Sequence, residues 1–127
     1  RWNALYRNQR IMKLTGKARG SFEEWLKENY GNVPISGMFF LDEVFITLPE
    51  VIQNALIVEF LDEQKMFVGM ELDGTPYSPK YATTLTFDRD YLISGVDYFF
   101  FKESRQEAIT AAIEKANEIL NQKLNGN

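Results

Sequence analysis

An aromatic run that passes directly into a helix start is the feature that most constrains the fold of this chain. Residues 98–101 are four consecutive aromatic side chains, a composition typical of a β-strand. Ser104 and Glu107 follow with the spacing of a capping box, in which side chains satisfy the free backbone N–H groups of a helix start. The pattern predicts a strand followed by a helix that packs on a sheet face. The apolar stripe of that helix is Ile109, Ala112, Ile113, Ala116, Leu120 and Leu124.

Two earlier segments alternate in the manner of half-buried strands. Residues 73–79 between them are rich in Gly, Pro and Asp, which favour turns. A polar tip at 88–90 precedes a returning strand over 91–101. Strands joined by short turns predict an antiparallel meander. The alternating side chains are Met66, Val68, Met70 and Leu72 in the first segment, and Tyr81, Thr83, Leu85 and Phe87 in the second.

Two helices are predicted near the N-terminus. The first covers residues 1–14, and residues 15–20 form a basic connector that contains two glycines. Ser21 then begins a second helix with a capping box, and Gly31 ends it. We therefore expect residues 1–20 to form a basic N-terminal helix and connector that precedes the second helix.

The centre of the chain predicts a loop, a short strand and a third helix. Residues 32–37 read as a loop, and residues 38–47 favour a short strand over a helix. Pro49 is typical of a first helical turn, although a strand that begins at Ile57 is the alternative. We expect a single α+β domain over 1–127. Its antiparallel sheet has about three to four strands packed by a C-terminal helix, with two N-terminal helices and one central helix.

The absence of both cysteine and histidine limits the chemistry of this chain. No disulfide, thiolate nucleophile or imidazole base can form, and a cysteine-free chain favours a cytoplasmic setting. Asp88 and Asp90 resemble a divalent-cation pair, but a solvated turn is the favoured interpretation. We expect no enzyme activity, no cofactor and no metal. No apolar run is long enough for a membrane span, and a start at Arg1 rather than Met predicts that the natural start lies upstream.

Basic residues are concentrated before Ser21, where no acidic residue occurs. The rest of the chain holds eight basic and all 18 acidic residues, a balance of −10. Such a segment is able to neutralise phosphates while Trp2 or Tyr6 stacks on bases, so nucleic-acid binding is one hypothesis. Neutralisation of the acidic body, or packing of the aromatic residues on the core, is the alternative. The six basic residues are Arg1, Arg7, Arg10, Lys13, Lys17 and Arg19.

Two aromatic groups are candidates for binding a protein partner. Phe22, Trp25 and Leu26 lie at helical spacing and are able to anchor in a partner's groove, although packing in the core explains them as well. Successive residues of 98–101 point to opposite faces of a sheet, so the C-terminal helix covers only one of these faces. The N-terminal helices or a second copy of the chain would cover the other.

The segment 48–124 resembles small uncharacterised proteins of bacteriophages and mobile elements. The resemblance rests on the helix that begins at Leu48-Pro49, on the turn-rich hairpin, and on the segments 101–108 and 112–116. It implies no catalytic residues. Together with the missing catalytic chemistry, it predicts a non-enzymatic accessory or protein-interaction domain with a protein partner or a homo-oligomeric state. A nucleic-acid-binding protein that uses the basic segment is the alternative.

Overall fold

The structure is a computed structural model that describes residues 12–37, 39–72, 81–87 and 97–126. The predicted turns at 73–79 and 88–90, residues 91–96 of the predicted strand over 91–101, and residues 1–11 of the predicted helix over 1–14 lie outside these residues. Residues 12–14 are described and are not helical. The elements, in chain order, are helix α1 (Gly16–Tyr30), strands β1 (Pro34–Ser36) and β2 (Phe39–Phe40), a 3₁₀ helix (Leu41–Thr47), helix α2 (Glu50–Glu63), strands β3 (Met66–Leu72), β4 (Tyr81–Phe87) and β5 (Tyr98–Lys102), and helix α3 (Arg105–Leu124).

The main sheet has the strand order β3-β4-β5, and both strand pairs are antiparallel. Leu85 of β4 lies opposite Val68 of β3 and Tyr98 of β5, which fixes the register across the sheet. The predicted α+β class is confirmed, and β3 and β4 occupy the two segments whose alternation predicted them. Pro34–Ser36 pairs with Phe39–Phe40 in a small second sheet, so the prediction of a loop over 32–37 was wrong for these residues.

Helix α3 begins as its capping signal predicts and packs on the sheet. The Ser104 Oγ accepts a hydrogen bond from the Glu107 backbone N–H at 3.2 Å, which satisfies one free donor of the first turn. Ala112, Ile113 and Ala116 are fully buried. Their small size allows the helix backbone to approach β4 and β5 closely, and α3 contacts both strands. The C-terminal helix therefore packs on the sheet as predicted.

Helix α1 begins at Gly16, so the predictions of a connector over 15–20 and of a cap at Ser21 were wrong. The cap comes from α3. The Asn121 Oδ1 accepts from the Ala18 backbone N–H at 2.8 Å, and the Asn117 Oδ1 accepts from the Thr15 N–H at 2.9 Å. Gly16 has a φ of +59°, and a Cβ there would lie 2.9 Å from the Asn121 Oδ1. Glycine is favoured here, because this φ strains most other residues and a Cβ would displace the Asn121 side chain that caps the helix.

Residues 39–47 form a two-residue strand and then a 3₁₀ helix, so the predicted strand is right for Phe39–Phe40 only. The Glu43 carboxylate accepts from the Phe40 backbone N–H at 2.8 Å and bends the chain out of the strand. Helix α2 then begins at Glu50, directly after Pro49, as predicted. The buried Gln53 amide donates to the carbonyls of Ile46 and Leu48 and fixes this junction. The alternative strand from Ile57 was wrong, because α2 continues to Glu63.

The described elements form three layers. Helices α2 and α3 pack together on one face of the sheet. Helix α1 contacts both of these helices on their side away from the sheet. The Phe22 ring of α1 packs toward α2. Its centroid lies 5.4 Å from that of the Phe60 ring of α2 and 5.0 Å from that of the Phe45 ring of the 3₁₀ helix. None of the described helices has the length and apolar character that a membrane crossing requires.

Candidate interaction surface

The two faces of the main sheet carry different side chains. The register places Met66, Leu85 and Phe100 on the face that α2 and α3 cover, which we call the inner face. Because the side chains of a strand alternate, their neighbours in the chain point to the opposite face. This outer face consists of Phe67, Gly69, Ala82, Thr84, Thr86, Phe99 and Phe101.

Three phenylalanines of the outer face are exposed to solvent. Phe99 and Phe101 are each 52% exposed, and Phe67 is 40% exposed. The rings of Phe99 and Phe101 stack with centroids 5.9 Å apart and an angle of 7° between their planes. Phe100, between them in the chain, packs against the core instead. The predicted division of residues 98–101 between two faces is therefore confirmed. An exposed aromatic patch of this kind is typical of an interaction site.

The centre of the outer face is flat and closely packed. Ala82 and Thr84 are buried although both belong to this face. A Cβ on Gly69 would lie 2.7 Å from the Thr84 Oγ1, closer than non-bonded atoms approach. Glycine therefore allows β3 to lie beside the Thr84 side chain. The stacked phenylalanines stand beside this flat centre, at the edge strand β5.

Strand β5 is also an open edge. In the part of the chain that the structure describes, β5 pairs with β4 alone. Four of its five residues are exposed, and Lys102 at its end is its only charged residue. Protein edges are commonly protected from pairing by charge, proline or a bulge, and residues 98–101 have no charged or proline side chain. Among the described residues, no second strand covers this edge, and Lys102 is the one charged side chain on it.

The residues predicted as partner anchors lie in the core. Phe22 is 0% exposed, Leu26 is 2% exposed and Trp25 is 9% exposed. The Trp25 ring contacts the rings of Phe22, Tyr30 and Phe60. Its Nε1 has no hydrogen-bond partner among the described residues. Packing in the core accounts for all three side chains, so we do not assign them to a partner.

Three of the six predicted nucleic-acid contacts belong to the described residues, and each has a partner within the chain. The Lys13 Nζ lies 2.8 Å from the Glu50 carboxylate and donates to the Asn54 Oδ1 at 2.7 Å. The Lys17 Nζ donates to the Leu124 carbonyl at 3.3 Å. Arg19 pairs with a glutamate four residues later in α1 at 3.1 Å. Arg1, Arg7 and Arg10 lie outside the described residues.

Two basic residues of α3 cover aromatic rings of the inner face, which the sequence reading missed. The Arg105 guanidinium lies 5.7 Å from the centroid of the Tyr81 ring, and the Lys115 Nζ lies 5.1 Å from that of Tyr98. A hydrogen bond to Glu118 raises the pKa of Lys115, so this cation stays charged. The signal was the position of both residues beside the apolar stripe of α3, where long side chains cover apolar surface.

Carboxylates line an open groove of about 650 Å³ beside β5 and the first half of α3. Glu50, Glu103, Glu107 and Glu114 surround it, together with Lys102 and Phe101. No group of three or more acidic side chains in the described residues has the arrangement of a metal site. Elsewhere, a hydrogen bond to Glu59 raises the pKa of Tyr30, and partial burial raises the pKa of Asp62. We take the aromatic patch and the edge of β5 as the candidate interaction surface.

Comparisons with known protein families, with characterised proteins and with solved structures find no match for this chain. The candidate surface therefore rests on the geometry of β5 and the outer face.

Proposed function

We propose that this protein is a non-enzymatic accessory domain that acts by binding protein, and that the partner its surface fits is a second copy of the same chain. The observation that carries the proposal is the unprotected, aromatic edge of β5. Two exposed phenylalanines on one face and an open row of backbone groups along the same strand offer both components of strand addition. A second copy supplies the same strand, so the pairing is symmetric and closes on itself.

The proposed pairing is antiparallel and centred on Phe100. In this register Phe99 lies opposite Phe101 of the second copy, and the reverse holds as well. Four phenylalanines then form one cluster on the outer face of a continuous six-stranded sheet. On the inner face, Tyr98 lies opposite Lys102 of the second copy, where the cation is able to contact the ring. Aromatic pairs across strands each stabilise a sheet by about 0.2–1 kcal/mol.

Solution mass tests the proposal directly. Sedimentation equilibrium from micromolar to millimolar concentration should reveal a reversible monomer–dimer equilibrium. Phe101→Glu should weaken the association by about tenfold or more, because it sets a carboxylate against an aromatic ring at the centre of the interface. Phe67→Glu is the matched control. It changes an exposed phenylalanine of the same face on the opposite edge strand, and the dimer should persist. A chain that stays monomeric at every concentration would refute the proposal.

Disulfide crosslinking tests the register, because the natural chain has no cysteine. Phe99→Cys chains mixed with Phe101→Cys chains should form the mixed disulfide faster than either variant alone. Directly opposed residues have Cα atoms about 4.5–5.5 Å apart, within disulfide range. Two residues at position 99 are diagonal neighbours at about 7–8 Å, beyond that range. Equal rates of disulfide formation in the mixture and in the two single-variant samples would show that the copies do not pair in this register.

Nucleic-acid binding is the competing hypothesis and a distinct outcome of the same experiments. The exposed phenylalanines are able to stack on bases, but the described outer-face side chains provide no cation for phosphates. Titration of a labelled single-stranded oligonucleotide at low and high salt distinguishes the two. Tight, salt-sensitive binding that Phe101→Glu abolishes, in a chain that stays monomeric, would favour the nucleic-acid hypothesis.

The setting of this function is part of the proposal. The absence of cysteine from 127 residues supports a cytoplasmic location. The resemblance of residues 48–124 to proteins of bacteriophages and mobile elements supports an accessory role.

A further inference from the structure

A second cavity, of about 240 Å³, lies between α2, α3 and β3. Its walls are aliphatic. Helix α2 contributes Val51, Ala55 and Val58 from one stripe, while Val68 and Ile109 come from β3 and α3. Val51 is 55% exposed, so the cavity opens to solvent along α2. Gly69 of β3 also lines it, whereas none of the described β5 residues does.

Three polar side chains line this otherwise apolar cavity, Asn54 of α2 and two residues of α3. Arg105 and Gln106, adjacent residues in the first turn of α3, both line it. The Arg105 guanidinium lies over the Tyr81 ring and forms no ion pair with any described residue. Its hydrogen-bond donors are therefore available to an anion, and a planar guanidinium suits a carboxylate in particular.

A chain of hydrogen bonds fixes the orientation of the Gln106 amide. The Lys13 Nζ is a donor only, so the Asn54 atom 2.7 Å from it is the acceptor Oδ1. The Asn54 Nδ2 consequently donates to the Gln106 Oε1, also at 2.7 Å. The Gln106 Nε2 is left with its N–H donors, and it makes no hydrogen bond to a described residue. Asn54 is 1% exposed, so its two hydrogen bonds are shielded from water.

We infer that this cavity binds a small monocarboxylate with a short aliphatic chain. The carboxylate accepts hydrogen bonds from the Arg105 guanidinium and the Gln106 amide, and the hydrocarbon chain lies among the valine and isoleucine side chains. The volume equals that of roughly eight water molecules at about 30 Å³ each, so it suits a ligand of about eight non-hydrogen atoms. Apolar walls with a few converging polar groups are the usual composition of a small-molecule site.

Hexanoate has this size and is the probe for the test. Methyl resonances of Val58, Val68 and Ile109 should shift in a saturable way at millimolar hexanoate in NMR spectra of the full chain. Hexylamine, which has the same chain and the opposite charge, should leave these resonances unshifted. Hexanol should bind about tenfold more weakly, because it loses the charge-assisted hydrogen bonds.

Three variants make the test specific. Gln106→Glu keeps an oxygen acceptor for Asn54 but replaces the donor group with a negative charge, so hexanoate binding should be lost while the fold is kept. Arg105→Gln should weaken binding about tenfold. Lys115→Gln is the matched control, because Lys115 also covers a ring from α3 but does not line the cavity. Its hexanoate affinity should be unchanged.

Either of two results would overturn the inference. One is the absence of saturable shifts at these methyl groups. The other is equal binding of hexanoate by the natural chain and by a folded Gln106→Glu variant, since the amide would then have no role in recognition. Thermal unfolding of each variant verifies that it is folded.

Discussion

The two faces of strand β4 share one backbone but differ in what lies against them. On the inner face, Thr83 and Leu85 are 0% exposed, because α2 and α3 cover the sheet there. On the outer face, Ala82 and Thr84 are also buried, but they are small and lie between strands that carry exposed phenylalanines. The β4 side chains are therefore buried on both faces. On the inner face packed helices cover them, and on the outer face they are small and lie between larger side chains of the neighbouring strands.

The difference separates stability from recognition. Large apolar side chains on the inner face leave water when the chain folds, which stabilises the fold by about 25 cal/mol per Å² of buried apolar surface. Phe99 and Phe101 stay half in water, so much of their apolar surface becomes buried only when something else covers it. Inner-face substitutions should therefore act mainly on folding, and outer-face substitutions mainly on association.

The largest effect should come from the inner face. Leu85→Ala removes a fully buried side chain at the middle of β4 and should lower the free energy of unfolding by about 3 kcal/mol. Phe67→Ala, at an exposed outer-face position, should lower it by less than about 1 kcal/mol. Urea unfolding of both variants at low protein concentration gives the comparison. Similar losses would mean that the outer face is as buried in solution as the inner one.

An intermediate effect should come from the flat centre of the outer face. Gly69→Ala adds a methyl group 2.7 Å from the Thr84 Oγ1, so the strand or the threonine must shift at a cost of about 1 kcal/mol. In a Thr84→Ala background the clash is gone, and the same change should be neutral or slightly stabilising because alanine orders the strand better than glycine. A double-mutant cycle in urea measures this coupling. Additive losses would show that Gly69 and Thr84 do not contact each other in solution.

Local patterns were sufficient to predict β3, β4 and the start of α3. Met66–Leu72 and Tyr81–Phe87 alternate clearly, and the Ser104 cap requires only residues within one helical turn. Periodicity and capping act over short distances in the chain, so a sequence exposes them directly.

The start of α1 was not accessible in this way. Its capping groups, Asn117 and Asn121, follow about a hundred residues later and approach only through tertiary packing. A strong local signal at Ser21 therefore gave the wrong boundary. Tertiary contacts of this kind override the local preference for a helix start at Ser21, and no pattern within residues 15–20 predicts them.

The candidate sites divide along the same line. Alternation predicted that residues 98–101 serve two faces, but only the positions of α2 and α3 determine that Phe99 and Phe101 are the exposed pair. Lys13 was predicted to contact nucleic acid. Its role in fixing the Asn54 and Gln106 amides depends on three distant segments that meet in the fold. Charge and composition identify such residues as candidates but do not predict which side chains they contact in the fold.

The smallest effect on stability should come from Phe99→Thr, and it tests the comparison most sharply. Threonine suits a strand and lies opposite Thr84, so the free energy of unfolding should change by no more than about 0.5 kcal/mol. Phe100→Thr, one position later on the inner face, is the control and should cost about 2 kcal/mol because it removes a ring that packs on the core. Both are measured by urea unfolding at a concentration at which the chain is monomeric. Because association is then absent, an equal loss for the two variants would mean that something within the chain covers the outer face. Phe99 and Phe101 would in that case be buried within the chain and would not be available to contact a second copy.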